Sequence, residues 1–273
     1  MTPALPRRMG RTLFGGHASA YDAARPPYPS RVFDVLESRC GLGAGCAVFE
    51  VGPGTGKATR ELLRRGADPV VAIEPDVRMA RFLLSTLGAR RSRVHAVVAP
   101  FEEAVLPEGV FDLGVAATSF HWTRNEPDSL RRAARLLKPG GWWAMWWNHH
   151  GDPAHPSPFH RAIQPLYRKG RTRGWAGWIV QGRVRSRNER ERRLRRLRAL
   201  GVFDRIRFEV IHTPVRLTTA QVRALWASFS DISTLPPRQR DEFLSGLARI
   251  ADDEFGGRVK FRVVTTLYTA RRV

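Results

Sequence analysis

The chain has 273 residues, enough for one large α/β domain or for a domain with a substantial insertion. No apolar run approaches the roughly 18 residues of a membrane-spanning helix, and the N-terminal residues lack the apolar centre of a secretory signal, so we expect a cytoplasmic protein. The net charge of +21 favours contact with nucleic acid, anionic membrane or acidic substrates, but it does not indicate a fold.

Apolar segments typical of strands alternate with segments of helical periodicity. The predicted strands are residues 47–51, 70–73, 94–98, 111–116, 142–147, 205–212 and 260–270. The predicted helices are one that follows Ser30 as its N-cap, then 57–65, 78–87 with Asp76 as cap, 129–137, 219–228 and 238–250. This alternation favours an α/β fold with a parallel sheet that is covered on both faces.

Residues 148–200 interrupt the alternation. They are rich in Pro, His, Gly and Trp, and they lead into the segment 183–198, in which nine residues are Arg. Glu189 and Arg193 stand four residues apart and would pair on the surface of a helix, with most of the Arg side chains pointing to water. We interpret this stretch as an insertion, partly helical, at a position where a lid over a substrate could form.

The segment "VFEVGPGTGKATREL" (48–62) carries a glycine-rich turn between a predicted strand and a predicted helix. A phosphate-binding loop requires G-x-x-x-x-G-K-[ST], but Val51 stands at its first glycine and Ala58 at the hydroxyl that binds magnesium. The dinucleotide pattern G-x-G-x-x-G also fails, because Lys57 stands at its third glycine. The sequence therefore disfavours both an ATP site and a dinucleotide site.

What remains is an acid, Glu50, followed by glycines at alternate positions, Gly52, Gly54 and Gly56. Glycine has no Cβ, so backbone can approach a ligand closely here; an ordinary glycine-rich turn is the alternative. The second predicted strand is followed by Glu74, 18 residues after Gly56. In adenine-ribose folds an acid at this place accepts hydrogen bonds from the ribose hydroxyls. The two features together favour a cofactor that contains adenosine.

The motifs "FEVGPGTGKAT", "VVAIEPD", "APFEEAVLPEGVFDLGVAATSFHW" and "LLKPGGWWAMWW" together resemble class I S-adenosylmethionine-dependent methyltransferases. More narrowly, the chain resembles the branch that carries "FHW" after the fourth strand and includes trans-aconitate methyltransferase. The resemblance covers roughly residues 13–150 and the end of the chain. It implies a Rossmann-like, mostly parallel sheet of seven strands, the last antiparallel, with helices on both faces and a helical lid from late insertions. It also implies S-adenosylmethionine as the cofactor.

The resemblance divides the chain into four parts. Residues 1–30 would cap the cofactor site, and residues 31–150 would form the S-adenosylmethionine-binding core. Residues 151–200 would be a basic insertion or lid, and residues 201–273 would complete the core sheet and add lid helices. The sequence predicts no oligomeric state.

Ten residues would contact the cofactor by this resemblance: Tyr21, Arg25, Glu50, Gly52, Gly54, Glu74, Pro75, Phe101, Glu102 and Ala117. The acid and glycines of the first loop would hold the methionine part, Glu74 the ribose, and the segments at Pro75 and Phe101 the adenine. Arg25 would pair with the methionine carboxylate, unless the N-terminal segment only packs over the core. Phe101 is a plain core residue in the alternative interpretation. Pro100 stands where a polar residue is more usual, which weakens the expectation of a hydrogen bond to the adenine amino group.

The acceptor side is predicted from residues that follow the fourth and fifth strands. His121, in "ATSFHWT", is the candidate catalytic residue, either as a general base or as a residue that only positions the loop, and we favour the second role. Trp122 would form a wall, and Trp147 and His149 would face the substrate. The histidines at 149, 150 and 155 have no acid or Cys at ligand spacing, so we expect no metal site.

Two rival functions follow from the charge and from the fold. Enzymes that methylate exocyclic amines of bases carry [ND]-P-P-[YF] after the fourth strand, where this chain has "ATSF", and neither Cys40 nor Cys46 follows a proline as a cytosine-attacking Cys does. An RNA methyltransferase of another type and a methyltransferase-like cyclase stay open. The sequence predicts methyl transfer from S-adenosylmethionine to a small-molecule acceptor of secondary or acidic-metabolite metabolism, with no specific nucleic-acid partner.

Overall fold

The computed structural model describes residues 15–152, 154–169 and 188–273. Its strands are β1 (Val48–Val51), β2 (Val70–Ile73), β3 (Val94–Val97), β4 (Phe111–Ala117), β5 (Leu137–His150), β6 (Phe203–Thr218) and β7 (Arg258–Arg272). They form one seven-stranded sheet in the order β3-β2-β1-β4-β5-β7-β6. Strands β1 to β5 pair in parallel, and β7 runs antiparallel to β5 and β6. The predicted fold class, a mostly parallel seven-stranded sheet, is confirmed.

The helices of the described residues alternate with the strands as predicted, and the late segments add more. They are α1 (Ala18–Ala24), α2 (Ser30–Cys40), α3 (Lys57–Arg64), α4 (Val77–Ser85), α5 (Glu126–Leu136), α6 (Pro158–Ala162), α7 (Gln164–Lys169), α8 (188–199), α9 (Thr219–Ala227), α10 (Ser230–Ser233) and α11 (Pro237–Phe255). Short 3-10 turns cover Gly15–His17, Gly88–Arg93 and Phe120–Trp122. The last of these turns is the "FHW" motif itself.

Local side-chain chemistry explains where several helices begin. Asp76 caps α4 as predicted, because its carboxylate accepts a hydrogen bond from the backbone N–H of Arg78 at 2.9 Å. Helix α5 starts three residues before its predicted start, because Asn125 is its cap and Pro127 fits its first turn. The prediction that Ser30 caps α2 is wrong: Pro29 is the cap residue, and Ser30 is the first residue of the helix.

The central sheet buries an apolar layer on each face. On one face α2, α3 and α4 cover the strands, and Phe33 and Leu62 are among the fully buried side chains there. On the other face α5 and α8 cover the strands, with Trp143 and Leu197 fully buried. Burial on both faces stabilises a parallel sheet and fixes the edge where its strands end.

A third apolar cluster lies beyond the sheet layers. Helices α6, α7 and α9 to α11 pack around Phe159 and Trp226 and against the far ends of β6 and β7. The two described parts of the predicted insertion 151–200 therefore pack in different places, since α6 and α7 join this cluster and α8 joins the sheet. Residues 1–14 of the predicted capping segment and residues 170–187 of the insertion lie outside the described residues.

Two further expectations concern cysteine and the membrane. Cys40 and Cys46 are both buried and are free thiols, so they form no disulfide. Within the part of the chain that the structure describes, no helix has the length and apolar character needed to cross a bilayer.

Candidate active site

A cleft opens at the carboxyl ends of β1, β2, β4 and β5, the edge at which parallel sheets bind ligands. The space between its walls, open solvent at its mouth included, is about 1090 Å³. Its walls include Tyr21, Arg25, Tyr28, Gly52, Gly54, Lys57, Glu74, Pro75, Met79, Pro100, Phe101, Glu102, Ala117, Thr118, Ser119, Trp122, Asn148 and His150. Most of the residues predicted to contact the cofactor meet at this cleft.

The glycine loop needs its three glycines for three different reasons. Gly52, Gly54 and Gly56 all have positive φ angles, of 64°, 57° and 85°, which strain any other residue. A Cβ on Gly52 would lie 2.7 Å from the Cβ of Ser119, and a Cβ on Gly56 would lie 2.1 Å from Leu83 Cδ1. A Cβ on Gly54 would meet no protein atom within 4 Å. Since Gly54 lines the cleft, that open space is the space a bound cofactor would use.

Glu74 follows the last residue of β2 and is buried. Its Oε2 accepts a hydrogen bond from the backbone N–H of Gly54 at 2.9 Å, and its Oε1 accepts one from Asp76 N–H at 3.0 Å. Burial raises the pKa of Glu74 to about 7. Each carboxylate oxygen can accept a second hydrogen bond, so Glu74 can take the hydroxyls of a ribose while it holds the glycine loop.

Glu50 lies behind the loop and is fully buried. Its Oε2 accepts the hydroxyl of Thr59 at 2.6 Å, whereas its Oε1 has no partner among the residues that the structure describes. Burial, assisted by the charge of Glu74, raises the pKa of Glu50 to about 7. A buried acceptor without a donor is costly. Glu50 does not line the cleft, unlike the other nine residues predicted to contact the cofactor, and its hydrogen bond with Thr59 ties β1 to α3.

The wall predicted for the adenine combines core and ligand roles. Phe101 is 4% exposed and stacks on Phe49 with 6.2 Å between ring centroids, and it also lines the cleft, so it is a core residue at the cleft wall. Glu102 lines the cleft as well, and its Oε1 accepts the backbone N–H of Arg124. On the opposite side, Ala117 lines the cleft, and its carbonyl oxygen accepts the hydroxyl of Tyr28 at 3.1 Å.

The N-terminal segment closes one side of the cleft. Tyr21 and Arg25 both line it, and the Arg25 guanidinium lies 4.7 Å from the ring centroid of Phe229. Arg25 donates to the carbonyl oxygen of Ser228 at 2.9 Å and to His150 Nε2 at 3.4 Å. Its Nε has no partner among the described residues. Arg25 therefore ties the N-terminal segment to Ser228 and Phe229 in the late part of the chain.

The expectation that Trp147 and His149 face the substrate is wrong in register. Side chains alternate between the two faces of a strand, and along β5 the residues on the cleft side are Asn148 and His150. Trp147 is instead 7% exposed and packs in the layer beneath α8. His149 lies within hydrogen-bond reach of Thr266 on β7, at 3.4 Å. The burial of Trp143 and Trp147 in one core layer is the signal that fixes this register.

His121 and His150 differ in their relation to the cleft. His121 is exposed and does not line the cleft, and its Nδ1 accepts the indole N–H of Trp147 at 3.1 Å. This geometry favours a positioning role for His121 over a general base. His150 is 7% exposed, lines the cleft, and has no partner for Nδ1 among the described residues. Burial, assisted by the Arg25 charge, holds its pKa well below the usual histidine value.

No group of three metal-binding side chains occurs among the described residues. The sheet order, the acid and glycines of the first loop and the buried acid after β2 together form a Rossmann-like arrangement. Residues 49–145 match the family model of a methyltransferase domain.

Curated relatives agree with this class. An uncharacterized methyltransferase of Mycobacterium tuberculosis is 34% identical over 142 residues, which are 52% of this chain and 54% of the relative, so the match spans about half of that relative's length. An uncharacterized methyltransferase of Schizosaccharomyces pombe is 25% identical over 273 residues, which cover 97% of this chain and 98% of the relative. Both relatives are named as methyltransferases, the first matched over about half of its length and the second over almost all of it.

Solved structures share the fold. A phosphoethanolamine N-methyltransferase 2 of Haemonchus contortus, in complex with S-adenosylhomocysteine, has a TM-score of 0.57 at 16% identity over 98% of this chain and 60% of that chain. The [4+2]-cyclase SpnF has a TM-score of 0.57 at 16% identity over 99% of this chain and 98% of that chain. The family match and these relatives are those of methyltransferases, and the solved structures share the fold of this chain.

Proposed function

We propose that the protein transfers the methyl group of S-adenosylmethionine to a small-molecule acceptor by in-line displacement. The observation that carries this proposal is the free space beside Gly54, bounded by the buried Glu74 carboxylate, in a cleft that extends to Asn148 and His150 on β5. We place the enzyme in the branch that carries "FHW" and in secondary or acidic-metabolite metabolism. We also propose a cytoplasmic location.

The chain's own residues would bind and orient the cofactor. Glu74 would take the ribose hydroxyls, and the backbone at Gly52 and Gly54 would lie against the methionine part. Bound S-adenosylmethionine would supply a methyl group activated by its sulfonium. The leaving group is then S-adenosylhomocysteine, whose sulfur is a neutral thioether. Because that leaving group is neutral, the protein needs no acid to stabilise it, and most of the catalytic advantage comes from orientation.

The acceptor would bind on the side of the cleft formed by Arg25, Trp122, Asn148 and His150. Arg25 donates to His150 Nε2, so the proton of the neutral imidazole lies on Nδ1, where no group of the described residues accepts it. The depressed pKa keeps this imidazole neutral near pH 7. We propose that His150 donates a hydrogen bond to an oxygen of the acceptor.

A mass-shift screen tests the proposed function. The protein is incubated with S-adenosylmethionine and pools of small carboxylic acids, phenols and amines, and products are examined for the gain of one methyl group. We expect a methylated product whose formation consumes S-adenosylmethionine in equal amount. His150→Asn should lower turnover at least tenfold while affinity for S-adenosylhomocysteine stays within twofold.

Two outcomes of the screen would point elsewhere. Conversion of an acceptor without consumption of S-adenosylmethionine would favour a methyltransferase-like cyclase, a possibility raised by the shared fold of the [4+2]-cyclase. Methyl groups found on RNA but on none of the small molecules would favour an RNA methyltransferase. Either result would contradict methyl transfer to a small molecule.

A further inference from the structure

We propose that Arg193, in the basic helix α8, is a positioning residue that holds the turn 119–125 against the rim of the cleft. The inference builds on the proposed function, because the turn it concerns lines the proposed cofactor and acceptor site. It assigns a role to a part of the basic insertion in which most arginines would simply point to water.

Arg193 is the buried arginine of α8. It is 7% exposed, and its guanidinium carbon lies 3.8 Å from the ring centroid of Trp147 and 5.5 Å from that of Tyr268. A guanidinium stacked on an aromatic face away from water makes a strong cation–π contact. Arg192, the next residue along the helix, is exposed. Arg193 therefore attaches the helix to the sheet, whereas Arg192 is exposed to solvent.

Trp147 connects Arg193 to the "FHW" turn, because it contacts both. Its indole N–H donates to His121 Nδ1 at 3.1 Å, which fixes the orientation of the His121 ring. The His121 and Trp122 rings lie 4.8 Å apart between centroids, and Trp122 lines the cleft. Arg193 thus reaches a wall of the cleft through two side chains, neither of which lines the cleft itself.

Arg193 also holds the other end of the turn. Its Nε donates to Glu126 Oε1 at 3.2 Å, and Arg196 Nη1 donates to Glu126 Oε2 at 2.5 Å. Glu126 is the first residue of α5, directly after the turn, and its side chain is 20% exposed. Partly buried, charge-assisted contacts of this kind are stronger than exposed ion pairs. The turn is therefore clamped at His121 and again at Glu126.

The turn 119–125 also supports the cofactor side of the cleft. Ser119 donates its hydroxyl to the carbonyl oxygen of Val51, directly before the glycine loop, and Arg124 N–H donates to Glu102. Any Cβ on Gly52 would collide with Ser119, so turn and loop pack without spare room. A shift of the turn would therefore displace both the glycine loop and the wall at Glu102.

Calorimetric titration with S-adenosylhomocysteine, combined with amide hydrogen exchange, tests the proposal. We expect Arg193→Met to weaken binding at least tenfold and to speed exchange in 119–125, where Trp122 N–H donates to Ser119 and Thr123 N–H to Phe120. Arg192→Met removes the same charge from the same helix at an exposed position and should leave both readouts unchanged. Equal affinity and equal exchange in the two variants would overturn the proposal.

Trp147→Phe guards against a variant that fails to fold. It keeps an aromatic ring beneath Arg193, although a smaller one, and removes the indole N–H that His121 accepts. We expect amide exchange in 119–125 to be faster in Trp147→Phe than in the wild type. We also expect the double variant, Trp147→Phe with Arg193→Met, to lose less binding free energy than the two single variants lose in sum. Additive losses, or faster exchange confined to 188–199, would show that Arg193 merely stabilises its own helix.

The two proposals fail in different ways. A wild-type protein that does not bind S-adenosylhomocysteine would contradict the proposed function, while exchange in 119–125 would still decide the role of Arg193. A wild-type protein that binds it, with Arg193→Met and Arg192→Met behaving alike, would contradict only the role of Arg193.

Discussion

The cofactor half of the cleft is built mainly from backbone, whereas the acceptor half is built from side chains that meet from distant parts of the chain. Gly52, Gly54 and Glu74 sit on loops that directly follow β1 and β2 and bond to one another. On the acceptor side, Arg25 bonds to Ser228, 203 residues away, and to His150, 125 residues away. The first half is fixed by adjacent parallel strands, and the second depends on how the late helices dock. Changes in the two halves should therefore have separable effects.

The largest effect should come from Gly54→Val, which fills the space intended for the cofactor. A branched side chain would project into the cleft, so we expect calorimetry to show no binding of S-adenosylhomocysteine. Gly109→Val is the matched control, because Gly109 also has a positive φ, of 70°, and open space around it, but does not line the cleft. That control should lose stability through backbone strain and keep its affinity. Binding that survives in Gly54→Val would refute the backbone-built cofactor half.

Glu74→Ala should have the next largest effect, since Glu74 is the buried acid that we propose to bind the ribose. We expect S-adenosylhomocysteine affinity to fall by roughly 1.5–3 kcal/mol, the range for hydrogen bonds to a charged group. The variant also frees the N–H groups of Gly54 and Asp76, so a stability measurement by urea unfolding should accompany the titration. An affinity loss no larger than that of an exposed acid, such as Glu108→Ala, would contradict this role.

Glu50 should make the stability of the cofactor-free protein depend on pH. Its folded pKa of about 7 lies above the ordinary value of an unfolded Glu, so its contribution to stability is present at low pH and is lost as pH rises through about 7. Between pH 5.5 and 8, the wild type should lose about 2 kcal/mol of unfolding free energy relative to Glu50→Gln. Urea unfolding at the two pH values measures this difference. Parallel pH dependence of both proteins would contradict a buried, protonated Glu50.

His121→Ala should have the smallest effect of the series and sharpens the division between the halves. Because His121 lies outside the cleft and supports its wall, we expect a several-fold loss of cofactor affinity and an unchanged shape of the pH–rate profile. A general base would behave differently, with turnover falling by about 10²–10⁴ and one ionisation lost from the profile. The pH–rate profile therefore distinguishes the two roles for His121.

The same division explains what could be predicted from sequence. Strands β1, β2 and β4, the cap at Asp76 and the glycine loop were predictable because apolar runs, caps and φ-positive glycines are local features. The start of β5 could not be predicted, and neither could the face of the sheet to which residues 148–150 point. The predicted strand ended at residue 147, so it did not show which face of the sheet the next residues occupy. In the structure, β5 pairs with β7 up to His150. Trp147 and His149 were therefore placed on the wrong side.

Arg193 shows the other limit of prediction. Its spacing from Glu189 correctly predicted a helix and an ion pair, which the structure places at 3.2 Å. Nothing local distinguished Arg193 from the other arginines of the run, because its burial depends on Trp147 and Glu126, both far away in sequence. Likewise, the orphaned Nδ1 of His150 arises only when Arg25 folds across the cleft. Side chains that act through long-range docking carry no local signature.

Binding of S-adenosylhomocysteine by the wild-type protein, measured calorimetrically beside ATP with magnesium, tests the central claim most directly. The free space at Gly54, the acid at Glu74 and the failed phosphate-loop pattern predict one S-adenosylhomocysteine per chain with a Kd in the micromolar range or below, and no binding of ATP. Absence of S-adenosylhomocysteine binding, or magnesium-dependent binding of ATP at the same cleft, would contradict the account.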